Sequence, residues 1–127
     1  MINKTIIRTD KAPKPVGPYS QAVEAGGFVF CSGMIPINPK TDQVFTGPIE
    51  EQAKQVLENI KALMESQGMS LNNIVKTTMY LTNMNDFSAV NEVYAHYFVE
   101  QTPARTTIAV AALPKGVNVE IEVIAKK

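Results

Sequence analysis

The 127-residue chain has no tryptophan, a single cysteine and a single histidine. With Cys31 alone no internal disulfide can form, and a lone thiol fits a reducing compartment. Cys31 ends the run Phe28-Val-Phe-Cys31, where it reads as a small core residue, because a nucleophile needs a base that the sequence does not supply. His96 has no Cys or His partner at metal spacing and no Ser/Asp constellation around it, which leaves it on a helix surface. Net charge is missing too. Twelve basic and twelve acidic residues cancel, so no global field steers the chain to nucleic acid or an anionic membrane. The longest apolar run, Ile108 to Leu113, is far too short to span a bilayer. Met1 to Lys14 alternates charged and apolar residues without the apolar segment of a signal peptide, so a cytoplasmic location is expected. No zinc signature, nucleotide fingerprint or phosphate-binding glycine loop occurs, and the expected metal and cofactor complement is none.

What is present fits one domain over residues 1–127, large enough to bury a core without staples. Thr5 to Arg8 is a short β-prone run. Asp10 to Pro18 holds three prolines and a glycine, which makes a stiff extended loop delivering Tyr19 and Ser20. Val23 to Ala25 and Phe28 to Cys31 flank Gly26-Gly27, a two-residue hairpin link, and Ser32-Gly33 ends the second strand. Pro36 to Gly47 reads as a surface loop. From Glu50 to Gln67, Ala53, Val56, Leu57, Ile60, Leu63 and Met64 form one helical stripe, stopped by Gly68. Ile74 to Thr82 is rich in β-branched and aromatic residues and predicts a strand. Asn85-Asp86 predicts the cap of a second helix with the stripe Phe87, Val90, Tyr94, Tyr97 and Phe98, ended by Thr102-Pro103. Two strands joined by a Pro114-Lys-Gly-Val-Asn118 turn close the chain.

The order predicts an α+β fold, a mixed sheet of about six strands with two helices on one face. In the last strand Val119, Ile121 and Val123 point one way while Glu120, Glu122 and Ile124 point the other. An apolar-containing face with no helix over it calls for another subunit, so a homo-oligomer is expected.

The closing strands also hold the candidate chemistry. Arg105, behind Pro103-Ala104, can fork onto a carboxylate with two charge-assisted hydrogen bonds, or pair with a surface Glu. Thr107 lies on the same side of that strand. Glu120 and Glu122 stand about 7 Å apart on one face. They fit an acid/base pair, one active and one structural glutamate, or solvent-facing and interfacial ion pairs. Tyr19 and Ser32 bracket the first hairpin with neutral hydrogen-bonding groups. Tyr19 fits a residue closing over a site or an ordinary loop aromatic.

Assembled, these residues resemble the RidA/YjgF family of reactive-intermediate deaminases. The likeness is carried by Ala12-Pro13, Gly17-Pro-Tyr-Ser-Gln21, Ser32-Gly33, Ile35-Pro36, Gln52-Ala53, Ile74-Val-Lys-Thr-Thr78, Phe87, Val90-Asn91, Pro103-Ala-Arg105, Val110 to Pro114 and Val119 to Ala125. The resemblance implies a chorismate-mutase-like fold and a homotrimer with ligand clefts between subunits. It implies hydrolysis of 2-imino acids, such as 2-iminobutanoate and 2-iminopropanoate, to 2-oxo acids and ammonia without metal or pyridoxal phosphate. By the same likeness Arg105 grips the substrate carboxylate and Glu120 handles the attacking water, with Glu122 structural. Tyr19, Ser32, Gly33 and Asn91 line or support the cleft. Many bacterial relatives have Arg-Ser-Cys where this chain has Arg105-Thr106-Thr107, so no thiol is available there and the backbone near Thr107 would serve instead. Three alternatives stay open: a 2-oxo-acid-binding regulatory protein, a chaperone-like or translation-inhibiting trimer, and a deaminase for another substrate.

Overall fold

The computed structural model describes residues 2–127; Met1, where the alternating N-terminal stretch begins, lies outside them. Strands β1 (Thr5–Ile7), β2 (Ala22–Ala25) and β3 (Phe28–Cys31) form an antiparallel meander. Gly26 and Gly27 both carry positive φ, 60° and 82°, the pairing that a two-residue hairpin turn requires. A small hairpin, β4 (Ile37–Asn38) with β5 (Gln43–Val44), leads to helix α1 (Ile49–Ser66). Then follow β6 (Ile74–Leu81), helix α2 (Phe87–Tyr97), β7 (Ala104–Ala109) and β8 (Val119–Lys126). The main sheet has six strands in the order β1-β2-β3-β8-β6-β7. No helix among the described residues is long and apolar enough to cross a membrane.

Both helices lie on one face. The α1 stripe, Ala53, Val56, Leu57, Ile60, Leu63 and Met64, is fully buried against Met79, Leu81, Val119, Ile121 and Val123 of the sheet. At the end of α1, Gly68 N–H reaches Glu65 O and Met69 N–H reaches Met64 O, with Gly68 at φ 71°. This is the paired-bond helix stop that favours glycine. The other face holds Ile6, Phe28, Phe30, Ile108, Tyr80, Glu120, Glu122 and Ile124 by register and has no helix over it. Ile6, Phe28, Phe30 and Ile108 are all more than a third exposed, as expected of a face awaiting a partner.

Four local expectations are corrected. The last two strands are not a hairpin: β6 lies between them, parallel to β7 and antiparallel to β8. A parallel neighbour needs a crossover, and α2 supplies it, carrying β7 to the outer edge of β6. Pro36 to Gly47 is not simply a surface loop, because it contains β4 and β5. Its Ile37 joins Ile35 and Val117 in a second small core, and Asn59 Nδ2 donates to Ile37 O at 2.8 Å. The cap residue is Asn83 rather than Asn85 or Asp86. Its Oδ1 accepts from Asn85 N–H at 2.9 Å and starts a short 3-10 turn, Met84–Asp86, that runs straight into α2. Asp86 is already in helical dihedrals (φ −81°, ψ −6°) and makes no side-chain cap, since a cap needs an extended backbone. The helix also ends at Tyr97, well before Thr102-Pro103.

Candidate active site

The Pro-rich loop is tied down before it reaches Tyr19. Buried Gln21 donates through Nε2 to the carbonyls of Thr9, Ala12 and Pro13 at 3.0, 3.2 and 2.8 Å, and its Oε1 accepts from Thr9 N–H at 2.7 Å. With four bonds on one buried amide the strap has a single arrangement. Tyr19 Oη then accepts from Val16 N–H at 3.2 Å, and Ser32 Oγ donates to Ser20 O at 2.6 Å, closing the loop onto the end of β3.

Between this loop and β8 lies a cleft of about 320 Å³ lined by Val16, Tyr19, Ser32, Gly33, Ile35, Pro114 and Glu120. Glu120 is the one charged group lining it. Its carboxyl is raised above the ordinary carboxylate range, first by burial and then by the neighbouring Glu122 charge, the direction expected of a general base brought toward neutral pH. Gly33 makes this placement possible. A Cβ on Gly33 would overlap Glu120 Oε2 and stand 2.9 Å from Cδ and 3.2 Å from Cγ, so any side chain there would evict the carboxylate.

Arg105 sits elsewhere. It pairs in register with Thr77, whose side chain is fully buried on the helix face and bonds Tyr94 Oη at 2.9 Å. The guanidinium lies 4.7 Å from the Tyr94 ring centroid and 5.6 Å from that of Phe87, and donates through Nη1 to Asn91 Oδ1 at 2.8 Å. Phe87, Asn91 and Tyr94 recur at i, i+4 and i+7, one face of α2, so the helix forms a platform and one lateral stop for the cation. No carboxylate among the described residues forms a salt bridge with Arg105; the one ion pair there is Lys127 with Glu24, at 2.9 Å. Thr107 follows on the same side, opposite Met79.

The expected residues thus fall into two regions: Tyr19, Ser32, Gly33 and Glu120 at the cleft, and Asn91 and Thr107 with Arg105. Within one chain the two regions are separate. Thr77 is opposite Val123, so Arg105 stands two strands across, about 10 Å, and three residues along, about 10 Å, from Glu120. Arg105 and Thr107 face the helix side, whereas Glu120 and Glu122 face the open side. Tyr94 belongs to the apolar stripe that the sequence predicts and also carries the guanidinium; its spacing from Asn91 is the signal of that second role. Of the other cleft residues, Ile35 and Pro114 belong to stretches that carry the family resemblance, whereas Val16 has no signal beyond its Pro-rich stretch. Glu122 accepts a hydrogen bond from Tyr80 Oη. Burial pushes the Cys31 thiol up to about 12. No group of three or more His, Cys, Asp or Glu side chains among the described residues is arranged to hold a metal ion.

The profile of the family described as Endoribonuclease L-PSP matches residues 9–127. A RutC family protein of Pyrococcus horikoshii is 56% identical over 124 residues, covering 98% of each chain. A protein of Dermatophagoides farinae named 2-iminobutanoate/2-iminopropanoate deaminase is 46% identical, covering 98% of this chain and 97% of that one. Among solved structures, E. coli TdcF with bound serine superposes with a TM-score of 0.91 at 43% identity, covering 97% of this chain and 98% of that chain.

Proposed function

The chain belongs to the Endoribonuclease L-PSP family, the YjgF/RutC/RidA group, and from that premise we propose that it is a cytoplasmic homotrimeric deaminase. It converts 2-imino acids such as 2-iminobutanoate and 2-iminopropanoate to 2-oxo acids and ammonia. The observation that carries this reading is Arg105: a cation laid on two aromatic rings, fixed by a neutral amide and given no anion among the described residues. Such a guanidinium keeps free N–H donors for a ligand carboxylate and loses little side-chain freedom on binding one. The relative crystallised with serine, a small amino acid with that carboxylate, supports the same ligand class.

The separation of the two regions supports an assembly of copies, read as the trimer that the family resemblance implies. Arg105 near a sheet edge and Glu120 on the open face cannot meet one small ligand within a protomer. A neighbouring copy on the uncovered face brings the Arg105 region of one subunit to the cleft of the next. Held there by Arg105, the protonated imine presents its carbon to the cleft. Strand β7 is terminal in the sheet, so the backbone carbonyls on its outer side have no ladder partner. Near Thr107 they accept hydrogen bonds from the iminium N–H groups. Glu120 orients a water and takes its proton as the oxygen bonds to the imine carbon. Glu120 returns that proton to the carbinolamine nitrogen, then takes the hydroxyl proton as the C–N bond breaks to give the 2-oxo acid, and passes it to the departing ammonia, which leaves as ammonium. Orientation of this kind lowers a barrier by several kcal/mol, and general-base help adds about 10²–10⁴-fold.

The test couples the purified protein to a pyridoxal-phosphate-dependent dehydratase producing 2-iminobutanoate and follows trapping by semicarbazide. The semicarbazone yield should fall with the wild-type protein and stay unchanged with Arg105→Ala. An undiminished yield at stoichiometric wild-type protein overturns the enzyme and leaves a 2-oxo-acid-binding protein. The ribonuclease activity in the family's description has less support, since a cleft whose charged lining group is a carboxylate repels phosphate and the chain as a whole is neutral.

A further inference from the structure

On the open face, Tyr80 of β6 stands directly opposite Glu120 of β8, and the neighbouring pair is Thr78 opposite Glu122. The Tyr80 phenol reaches diagonally past its own partner and donates to Glu122 Oε1. That bond, followed by burial and the charges of both glutamates, pushes the phenol up to about 12, so Tyr80 remains a donor throughout the working range. Three oxygen-bearing side chains thus share a half-buried patch beside the cleft, and only Glu120 extends into it. Each cross-strand neighbour is within reach at this spacing.

We propose that Tyr80 is a positioning residue for the hydrolysis: its phenol fixes Glu122, and the fixed Glu122 charge sets the pH at which Glu120 can accept a proton from water. The inference rests on the reading of Glu120 as the base. The titratable groups facing Glu120 are Glu122 on its own strand, Tyr80 on β6 and Tyr19 across the cleft; Ser32, Gly33, Ile35 and Pro114, the other neighbours there, carry no charge. Among the described residues of its own protomer Glu122 is the one ionic neighbour that acts on Glu120; the Arg105 that a neighbouring subunit brings to the cleft is the same in every variant compared below. A surface glutamate with free rotamers would swing outward, where water screens it. Tyr80 prevents this without adding a charge of its own. Moving the Glu120 proton toward neutral pH makes its carboxylate a stronger base, which is what water attack on an iminium uses.

The experiment follows the Glu120 side-chain carboxyl by carbon-13 NMR across pH in the wild type, Tyr80→Phe, Glu122→Gln and the double variant, with light scattering on each to show that assembly is unchanged. In Glu122→Gln the Glu120 midpoint should fall toward the ordinary carboxylate value, and in Tyr80→Phe it should fall part of the way. The double variant should match Glu122→Gln alone, because Tyr80 acts only through Glu122. The acid limb of the pH–kcat profile should move to lower pH by the same amounts with KM unchanged. A midpoint unmoved by Tyr80→Phe, or one shifted additively in the double variant, overturns the proposal. The titration needs no turnover. If the midpoints shift as stated and no deaminase activity exists, the device stands and the functional reading falls; normal activity with unmoved midpoints gives the reverse.

Discussion

Replacing Gly33 by alanine separates the site from the fold. The new Cβ would overlap Glu120 Oε2 and stand 2.9 Å from Cδ, inside ordinary contact distance, while Gly33 itself is not among the residues with positive φ. The backbone therefore accepts alanine. The colliding group is the end of a flexible side chain, so the strain is relieved by moving the Glu120 carboxylate on the order of 1 Å rather than by unfolding. A displacement of that size typically costs about 10²-fold in rate, equivalent to about 2.7 kcal/mol of barrier. Stability should change by less than about 1 kcal/mol, since alanine also restricts the unfolded chain. In the coupled assay, corrected for unaided imine hydrolysis, kcat should drop about 100-fold with KM within about threefold, because the proposed carboxylate grip is Arg105, which the substitution leaves untouched. Wild-type kcat in a folded Gly33→Ala protein would refute the placement of Glu120 as base. Loss of the fold would refute the claim that only the carboxylate yields.

Further outcomes follow from other groups. The fold holds the Glu120 proton more tightly than the unfolded chain does, so its stabilising contribution is complete below the unfolded value of ~4.3 and is lost as pH rises through the raised folded value. Glu120→Gln should then melt higher than the wild type at neutral pH, with the gap closing toward pH ~4 in thermal scans. Gln52, fully buried, donates to Gly47 O and Asn118 Oδ1 and accepts from Asn118 N–H, each at 2.9 Å. Gln52→Ala leaves those groups unpaired and should lower stability by about 1–3 kcal/mol in urea titrations. Cys31, buried and pushed up to about 12, should resist iodoacetamide at pH ~8 until the chain is unfolded.

The helices and the sheet face were legible because period and burial agree: the α1 stripe read from spacing is the stripe that is fully buried. The strand order was not. A Pro-Lys-Gly turn between two β-prone runs satisfies every local rule for a hairpin, and the choice of β6 as the neighbour of both depends on contacts distant in sequence. That single topological fact decides the site. With Arg105 and Glu120 on adjacent strands they could share a ligand, whereas β6 between them and opposite faces make them halves of different places. The aromatic platform under Arg105 was hidden for a related reason: Tyr94 is both a core residue, 6% exposed, and the surface on which the guanidinium rests. Hydrophobic period records only the first role.

Whether Arg105 of one subunit and Glu120 of another complete one site is decided by complementation between two inactive variants. Arg105→Ala and Glu120→Gln chains, each expressed alone, should give folded assemblies with imine hydrolysis at the unaided rate. Co-expressed in equal amounts, they should form mixed trimers in which about a quarter of the sites combine an intact Arg105 with an intact Glu120 from different subunits, and activity should recover to about that fraction of wild type. If both residues served one ligand from within the same chain, no mixed site could contain both, and activity staying at the unaided rate would contradict the account.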